Sequence, residues 1–313
     1  MDLLIIPLLV LAAWIYMKLA IKYNIVDRPN ERSSHTKNTI RGGGIIFFLS
    51  IVFFFVFYEF QYPYFVLGLT LVAGISFLDD IYTLGSAIRI FFQILAIGLS
   101  AYQIGLLGIS PLWLICAFVL SVGLLNIYNF MDGINGITGL YSISILLALL
   151  YVNHFTIHFI NQHLLLLSLA SVLIFGYYNF RKRARFFAGD IGSISIGLIL
   201  IFCVGKLIFV SYNLWYLLFF LIYFIDGGST ILERVLRREN IFKPHRRHLY
   251  QLIVDQKKTG HISISLGYFF MQLLINSVVI LSIGSENYLP ITLATIAVFV
   301  GYLFWKIKIL KNG

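Results

Sequence analysis

Apolar runs long enough to cross a lipid bilayer follow one another along almost the whole chain. They fall roughly at 2–22, 44–60, 62–79, 88–107, 111–129, 137–153, 162–179, 190–209, 213–232, 262–283 and 290–308. A spanning helix needs ~20 predominantly apolar residues, which each run approaches. With 60% hydrophobic and only 12% charged residues among 313, the balance lies far outside that of a soluble globular domain. The expectation is an all-α polytopic membrane protein of about 11 transmembrane helices, one integral membrane domain over 1–313.

Orientation follows from the basic residues, because Lys and Arg accumulate in cytoplasmic loops. Asp2 precedes the first run while Lys18 and Lys22 close it, the reverse of a signal peptide, so that run reads as a retained helix with its N-terminus outside. On that reading every one of the 23 lysines and arginines except Lys206 falls on the inner side. The net charge of +10 is then an inner-face charge, suited to anionic membrane lipids or an anionic substrate, with no nucleic-acid partner expected. Cys116 and Cys203 lie inside apolar runs and read as packing residues, not as a disulfide or metal pair. The outer loops are short, and His154, His158 and His163 lack a metal-ligand pattern, which leaves them as ordinary interfacial residues.

Five polar clusters converge on the inner side. The first, "VDRPNERSSHTKNTIRGGG" over 26–44, holds Arg41 and three glycines, and arginine forks with close backbone amides suit phosphate oxygens. The second is "FLDD", where Asp79 and Asp80 end an apolar run with Arg89 and Gln93 following; a carboxylate pair there suits a divalent cation or a proton acceptor, yet is poor company for a helix C-terminus. The third, "NIYNFMDGINGI" over 126–137, spaces Asn126, Asn129 and Asp132 as one helical stripe in an otherwise apolar span. In the fourth, "FAGDIGSIS" over 187–195, Asp190 opens a helix whose free amides suit a phosphate beside a metal ligand. The fifth is the loop "DGGSTILERVLRRENIFKPHRRHLYQ" over 226–251, with Asp226, Arg234, His245, Arg246 and His248 as candidate substrate contacts.

Carboxylates for a hard cation, arginines and histidines for phosphate oxygens, and helices open to lipid suggest phosphoryl transfer involving a membrane-dissolved partner. An anionic-metabolite transporter is the alternative, but its site would lie near the bilayer midplane within repeated halves, and no internal repeat is visible. A CDP-alcohol phosphotransferase would need a "DGxxAR" pattern, which neither Asp132 nor Asp226 begins.

From about Asp27 to Gln251, "FLDD", "NIYNFMDGING", "FAGDIGS" and "HRRHLYQ" resemble, in order and spacing, the polyprenyl-phosphate N-acetylhexosamine-1-phosphate transferase family. The first and last clusters are most similar to its Gram-negative branch, which starts O-antigen or related surface-glycan synthesis. The resemblance implies transfer of a sugar 1-phosphate from a UDP-N-acetylhexosamine to undecaprenyl phosphate in the bacterial inner membrane, with Mg²⁺ as cofactor and Mn²⁺ able to substitute. It implies Asp190 as the metal ligand, Asp79 and Asp80 flanking the lipid phosphate, and Arg89 on the phosphates. It also implies Asn129 and the catalytic Asp132 near the nucleotide diphosphate, and His245 and His248 on the donor. A homodimer is an expectation carried by the resemblance alone. Asn135 stands where the family often has Asp, and Ile40 where this branch often has Pro. Two mechanisms remain open, direct attack by the lipid phosphate with the catalytic Asp79 or Asp80 as proton acceptor, and a phospho-enzyme formed first on a carboxylate; the first is favoured because that phosphate arrives ionised.

Overall fold

The computed structural model describes residues 1–27, 39–240 and 246–312. Helices account for nearly all of it: α1 Asp2–Lys22, α2 Ile45–Phe57, α3 Pro63–Tyr82, α4 Ser86–Ile104, α5 Pro111–Met131, α6 Ile137–Phe155, α7 Gln162–Asn179 and α8 Gly189–Ser211. The next span, Leu214–Leu236, is broken into a 3₁₀ stretch Leu214–Phe220, the single turn α9 Leu221–Tyr223, a π segment Phe224–Gly228 and α10 Ser229–Leu236. The short α11 Leu249–Lys257 precedes α12 His261–Gly284 and α13 Leu289–Asn312. Two-residue strands β1 Val26–Asp27 and β2 Thr39–Ile40 pair antiparallel, Val26 opposite Ile40.

Among the described residues nine helices are long and apolar enough to cross a membrane, fewer than the eleven runs suggested. The other two runs are helical but shorter. At 13 residues, α2 falls well below the length of a straight span, and the 18-residue α7 is polar at both ends, Gln162 and Asn179.

The centre of the bundle is α8. It is apolar all round and packs against α2, α3, α4, α5 and α6, as expected of a helix with no face left for solvent or lipid. The outward sides of α1, α5 and α13 instead show Leu, Ile and Phe to the surroundings. Between apolar helices in lipid the hydrophobic effect contributes little, and close packing of small residues replaces it. A Cβ on Gly68 of α3 would lie 2.9 Å from the Ala96 carbonyl of α4, and one on Gly227 would lie 2.5 Å from Ile127 of α5.

Short signals end the helices near the inner clusters. Pro63 and Pro111 start α3 and α5 at the ends away from these clusters. Thr83, with φ of 54°, stops α3, and α5 stops at Asp132, four residues before Gly136 (φ 88°) admits α6. At the opposite end of the bundle His163 is more than an interfacial residue: Nδ1 lies 2.7 Å from Asp2, the ring stacks on Tyr58, and the Tyr58 hydroxyl also donates to Asp2. Cys203 is buried and Cys116 exposed, and both are free thiols.

Candidate functional site

Two distant motifs fuse into one structure at the start of α8. The Ile40 amide donates to the Arg185 carbonyl at 3.3 Å and the Phe187 amide to Ile40 at 2.8 Å. The Gly43 and Gly44 amides continue the ladder onto the Phe187 and Ala188 carbonyls, at 2.9 and 3.1 Å. Those two amides, expected to cradle a phosphate, are therefore spent on protein. The glycines serve close approach instead: Gly42 (φ 76°) faces the Tyr16 hydroxyl, and a Cβ on Gly189 (φ 72°) would sit 2.5 Å from Asp80 Oδ2. The Tyr16 hydroxyl donates to the Arg41 carbonyl at 2.6 Å, fixing the arginine over the helix start.

Three carboxylates and two arginines meet there, and their surroundings differ. Asp80 is fully buried; its oxygens accept from the backbone amides of Asp190 (2.9 Å) and Ile191 (3.1 Å), and Arg41 Nε lies 2.7 Å away. The helix N-terminus expected to be free for a ligand is thus occupied by Asp80. Asp79, with a side chain 6% exposed, accepts from the Leu84 amide in the α3–α4 turn and from Arg89 at 2.9 Å. Asp190 is the accessible member at 18%, with both arginines at a loose 3.4 Å. Burial opposes the Arg41 charge, but Asp80 and Asp190 more than offset it and hold its pKa above the usual arginine value. The five residues come from three inner helix ends and the segment before α2, and Arg89, the nearest cation along the chain to the Asp pair, is its partner in space.

On α5 the polar stripe is divided among neighbours. Asn126 donates to Gln93 of α4 at 2.8 Å and to its own helix at Val122, while Asn129 accepts from Ser193 of α8 at 2.8 Å. Asp132, just past the helix end, accepts from the Thr138 hydroxyl at 2.7 Å. Burial, reinforced by the Asp80 charge and opposed by that hydroxyl and Arg41, pushes its pKa up to about 6. Asn135 donates to the Arg181 carbonyl at 2.8 Å and so pins the basic turn before α8.

The last inner loop is organised by ion pairs of its own. Asp226, expected to contact substrate, is 1% exposed in the π segment; it accepts from the Leu249 amide (2.8 Å) and the Tyr268 hydroxyl (2.6 Å), with His248 beside it at 3.7 Å. His248 is equally buried. Arg234 is buried against Glu239 and the Asn240 carbonyl, and Arg246 makes a two-pronged pair with Asp255 at 2.9 and 2.6 Å. These four expected substrate contacts therefore do structural work in this conformation. His245 lies outside the described residues. The loop still reaches the centre, since Tyr250 of α11 donates to the Phe130 carbonyl at 3.1 Å and covers Gly133 next to Asp132.

Gln93, Ser193, Thr138 and Tyr268, which hold the expected residues in place, were not singled out as ligands by the sequence. Gln93 lies one helical turn after Arg89 and Ser193 three residues after Asp190, so helical spacing was the available signal.

Among the described residues no group of three His, Cys, Asp or Glu side chains forms a ready metal cage. Mg²⁺ does not need one: it keeps several waters and binds through one or two carboxylates together with substrate phosphates. Asp190, accessible and only loosely paired, has the right donor chemistry, with Arg41 and Arg89 beside it for the phosphates.

Comparison with known proteins adds an independent view. Residues 62–208, which run from α3 into α8 and include Asp79, Asp80, Arg89, Asp132 and Asp190, match glycosyl transferase family 4. The chain is similar to the undecaprenyl-phosphate alpha-N-acetylglucosaminyl 1-phosphate transferase of Thermotoga maritima, 27% identical over 262 residues, 80% of each chain. It is also similar to the probable undecaprenyl-phosphate N-acetylglucosaminyl 1-phosphate transferase of Bacillus subtilis, 24% identical over 77% of this chain and 72% of that one. A third relative, the undecaprenyl-phosphate alpha-N-acetylglucosaminyl 1-phosphate transferase of Escherichia coli, is 25% identical over 76% and 71%.

Proposed function

We propose that this chain, whose residues 62–208 match glycosyl transferase family 4, belongs to that family and transfers an N-acetylhexosamine 1-phosphate from a UDP-sugar to undecaprenyl phosphate. An oxygen of the lipid phosphate attacks the β-phosphorus of the donor, the bond from that phosphorus to the bridging oxygen breaks, and UMP leaves with that oxygen. The product is a lipid-linked diphosphate sugar. The names of the relatives favour N-acetylglucosamine among the candidate sugars.

The observation that carries this reading is the accessible Asp190 carboxylate set between Arg41 and Arg89. Asp190 would hold Mg²⁺ or Mn²⁺, which supplies charge neutralisation on the diphosphate. Arg89 and Arg41 pair with phosphate oxygens as they approach, exchanging loose 3.4 Å contacts with Asp190 for substrate ones. Asp132 lies on the side where α11 closes over Gly133, suited to the nucleotide half of the donor. Asp79 and Asp80 are both engaged with protein donors, which agrees with direct attack by an acceptor that arrives ionised.

The finer topology belongs to the same proposal: eleven helices, the N-terminus outside, and the site at the cytoplasmic face of a bacterial inner membrane. The distribution of lysines and arginines supports it. A role at the start of surface-glycan synthesis belongs to the proposal as well, with the UDP-sugar coming from the cytosol. A homodimer remains part of the proposal through the family alone. Purified protein incubated with undecaprenyl phosphate, Mg²⁺ and a panel of labelled UDP-sugars should move label into the organic phase with one donor, and a chelator should stop it. Absence of lipid-borne label with every donor would remove the transferase reading.

A further inference from the structure

Asp80 sits at the end of α3, yet its carboxylate completes a different helix. The first amides of α8 have no partner within their own helix, and Ala188 at the N-cap has no side-chain acceptor. In a bundle surrounded by lipid, unpaired backbone donors are costly. Asp80 takes two of them, Asp190 at 2.9 Å and Ile191 at 3.1 Å, across 110 and 111 residues of sequence. Its negative charge meets the positive end of the α8 dipole, which explains how a carboxylate is tolerated at the C-terminal end of α3.

We infer that Asp80 is a positioning residue: it fixes the backbone of Asp190, and with it the metal-holding carboxylate, without touching the reacting phosphates. Three observations carry this. The Asp80 side chain has no exposed surface, whereas Asp190 has 18%. Both Asp80 oxygens are engaged, and Arg41 Nε at 2.7 Å closes the remaining side. Gly189, whose φ is 72°, has no room for a Cβ because Asp80 Oδ2 would lie 2.5 Å from it, so the local backbone is shaped around this carboxylate. Arg41 extends the arrangement, since its Nε holds Asp80 while Nη2 reaches Asp190 at 3.4 Å. The inference rests on the reading of Asp190 as metal ligand, and its test separates the two.

The test measures Mn²⁺ binding to detergent-purified protein, hydrogen exchange of the peptide covering 189–193, and turnover as a function of Mn²⁺. Asp80→Asn keeps the shape but presents an amide nitrogen to backbone donors. It should weaken Mn²⁺ binding about tenfold or more, in the range seen when a group supporting a metal ligand is removed. It should also speed exchange at the start of α8, and turnover should recover towards the parent value as Mn²⁺ rises. If Asp80→Asn leaves Mn²⁺ binding and exchange unchanged while turnover stays low at saturating metal, Asp80 acts on the reacting phosphates and the inference is overturned. Asp190→Asn is the reference: undiminished Mn²⁺ binding in that variant removes the metal reading of Asp190, and the exchange data then decide the capping role alone. Should Asp80→Asn fail to fold, Asp80→Glu retains the charge on a stem one methylene too long to meet both amides, and the same three readouts apply.

Discussion

Gly44 and Gly192 cross with their backbones in contact: a Cβ added to Gly44 would lie 2.3 Å from the Gly192 Cα, and one added to Gly192 would lie 2.7 Å from the Gly44 Cα. The crossing joins the start of α2 to the first turn of α8, two residues from Asp190. Because the atom met is backbone, it cannot swing aside as a side chain would. Gly44→Ala should therefore destabilise the protein by about 1–3 kcal/mol, the usual cost of overpacking, and lower activity with it. Gly74→Ala on α3, where a Cβ meets nothing within 4 Å, should leave both unchanged. Thermal unfolding in detergent compares the two, and equal melting temperatures would mean that the crossing is looser than described.

The two arginines of the site make different demands on their replacement. Arg41 uses two nitrogens on two carboxylates, Nε on Asp80 at 2.7 Å and Nη2 on Asp190 at 3.4 Å, a fork that an ammonium cannot reproduce. Arg89 uses Nη1 alone for both Asp79 and Asp190, at 2.9 and 3.4 Å, which a point charge can imitate. Arg89→Lys should keep kcat/KM for undecaprenyl phosphate within about tenfold of the parent, while Arg41→Lys loses about a hundredfold, or ~2.7 kcal/mol. The reverse order in steady-state kinetics would show that Arg89 grips phosphate bidentately.

Asp132 supplies a pH signature. Burial first, and the Asp80 charge after it, bring its pKa up to about 6, so the anion is lost as pH falls through that value. If the site uses the anion, activity falls on the acid side of about pH 6. Thr138→Val removes the hydroxyl that stabilises the anion at 2.7 Å, and the acid limb should move up by about half to one pH unit. Asp132→Asn should flatten that limb altogether. The stability sign is opposite: the folded state holds this proton more tightly than the unfolded chain, so the group's contribution becomes less favourable as pH rises from about 4 to 6. Rate profiles of the three proteins between pH 5 and 8 check it.

Much of this site was legible because its residue types are out of place in apolar runs. Asp79, Asp80, Asn129, Asp132 and Asp190 stand out against hydrophobic spans, and helical spacing put Asn126, Asn129 and Asp132 on one stripe. What the pattern could not supply is who pairs with whom. A helix start such as that of α8 reads the same whether its amides are open or filled by Asp80 from 110 residues away. Likewise an arginine-rich loop reads the same whether the guanidinium groups face a phosphate or, as with Arg234 and Arg246, the carboxylates of Glu239 and Asp255. The two counts of spans differ for a related reason: hydropathy registers α2 as a span without registering that its helix lasts only 13 residues.

Asp226 does for α11 part of what Asp80 does for α8, and here too the consequence can be measured. Its Oδ1 accepts from the Leu249 amide at 2.8 Å, and its Oδ2 is held by the Tyr268 hydroxyl of α12 at 2.6 Å. Tyr268→Phe removes one donor from a buried carboxylate and should cost about 1–3 kcal/mol of stability. The carboxylate would then be freer to turn, loosening the start of α11 and the contact of Tyr250 with the Phe130 carbonyl beside Asp132. Hydrogen exchange should accelerate across 249–257, and on the proposal that the donor binds on the side that α11 covers, KM for the UDP-sugar should rise several-fold more than kcat falls. A loss confined to kcat, with α11 exchange unaltered, would place Tyr268 in the chemistry and not in the support of this helix.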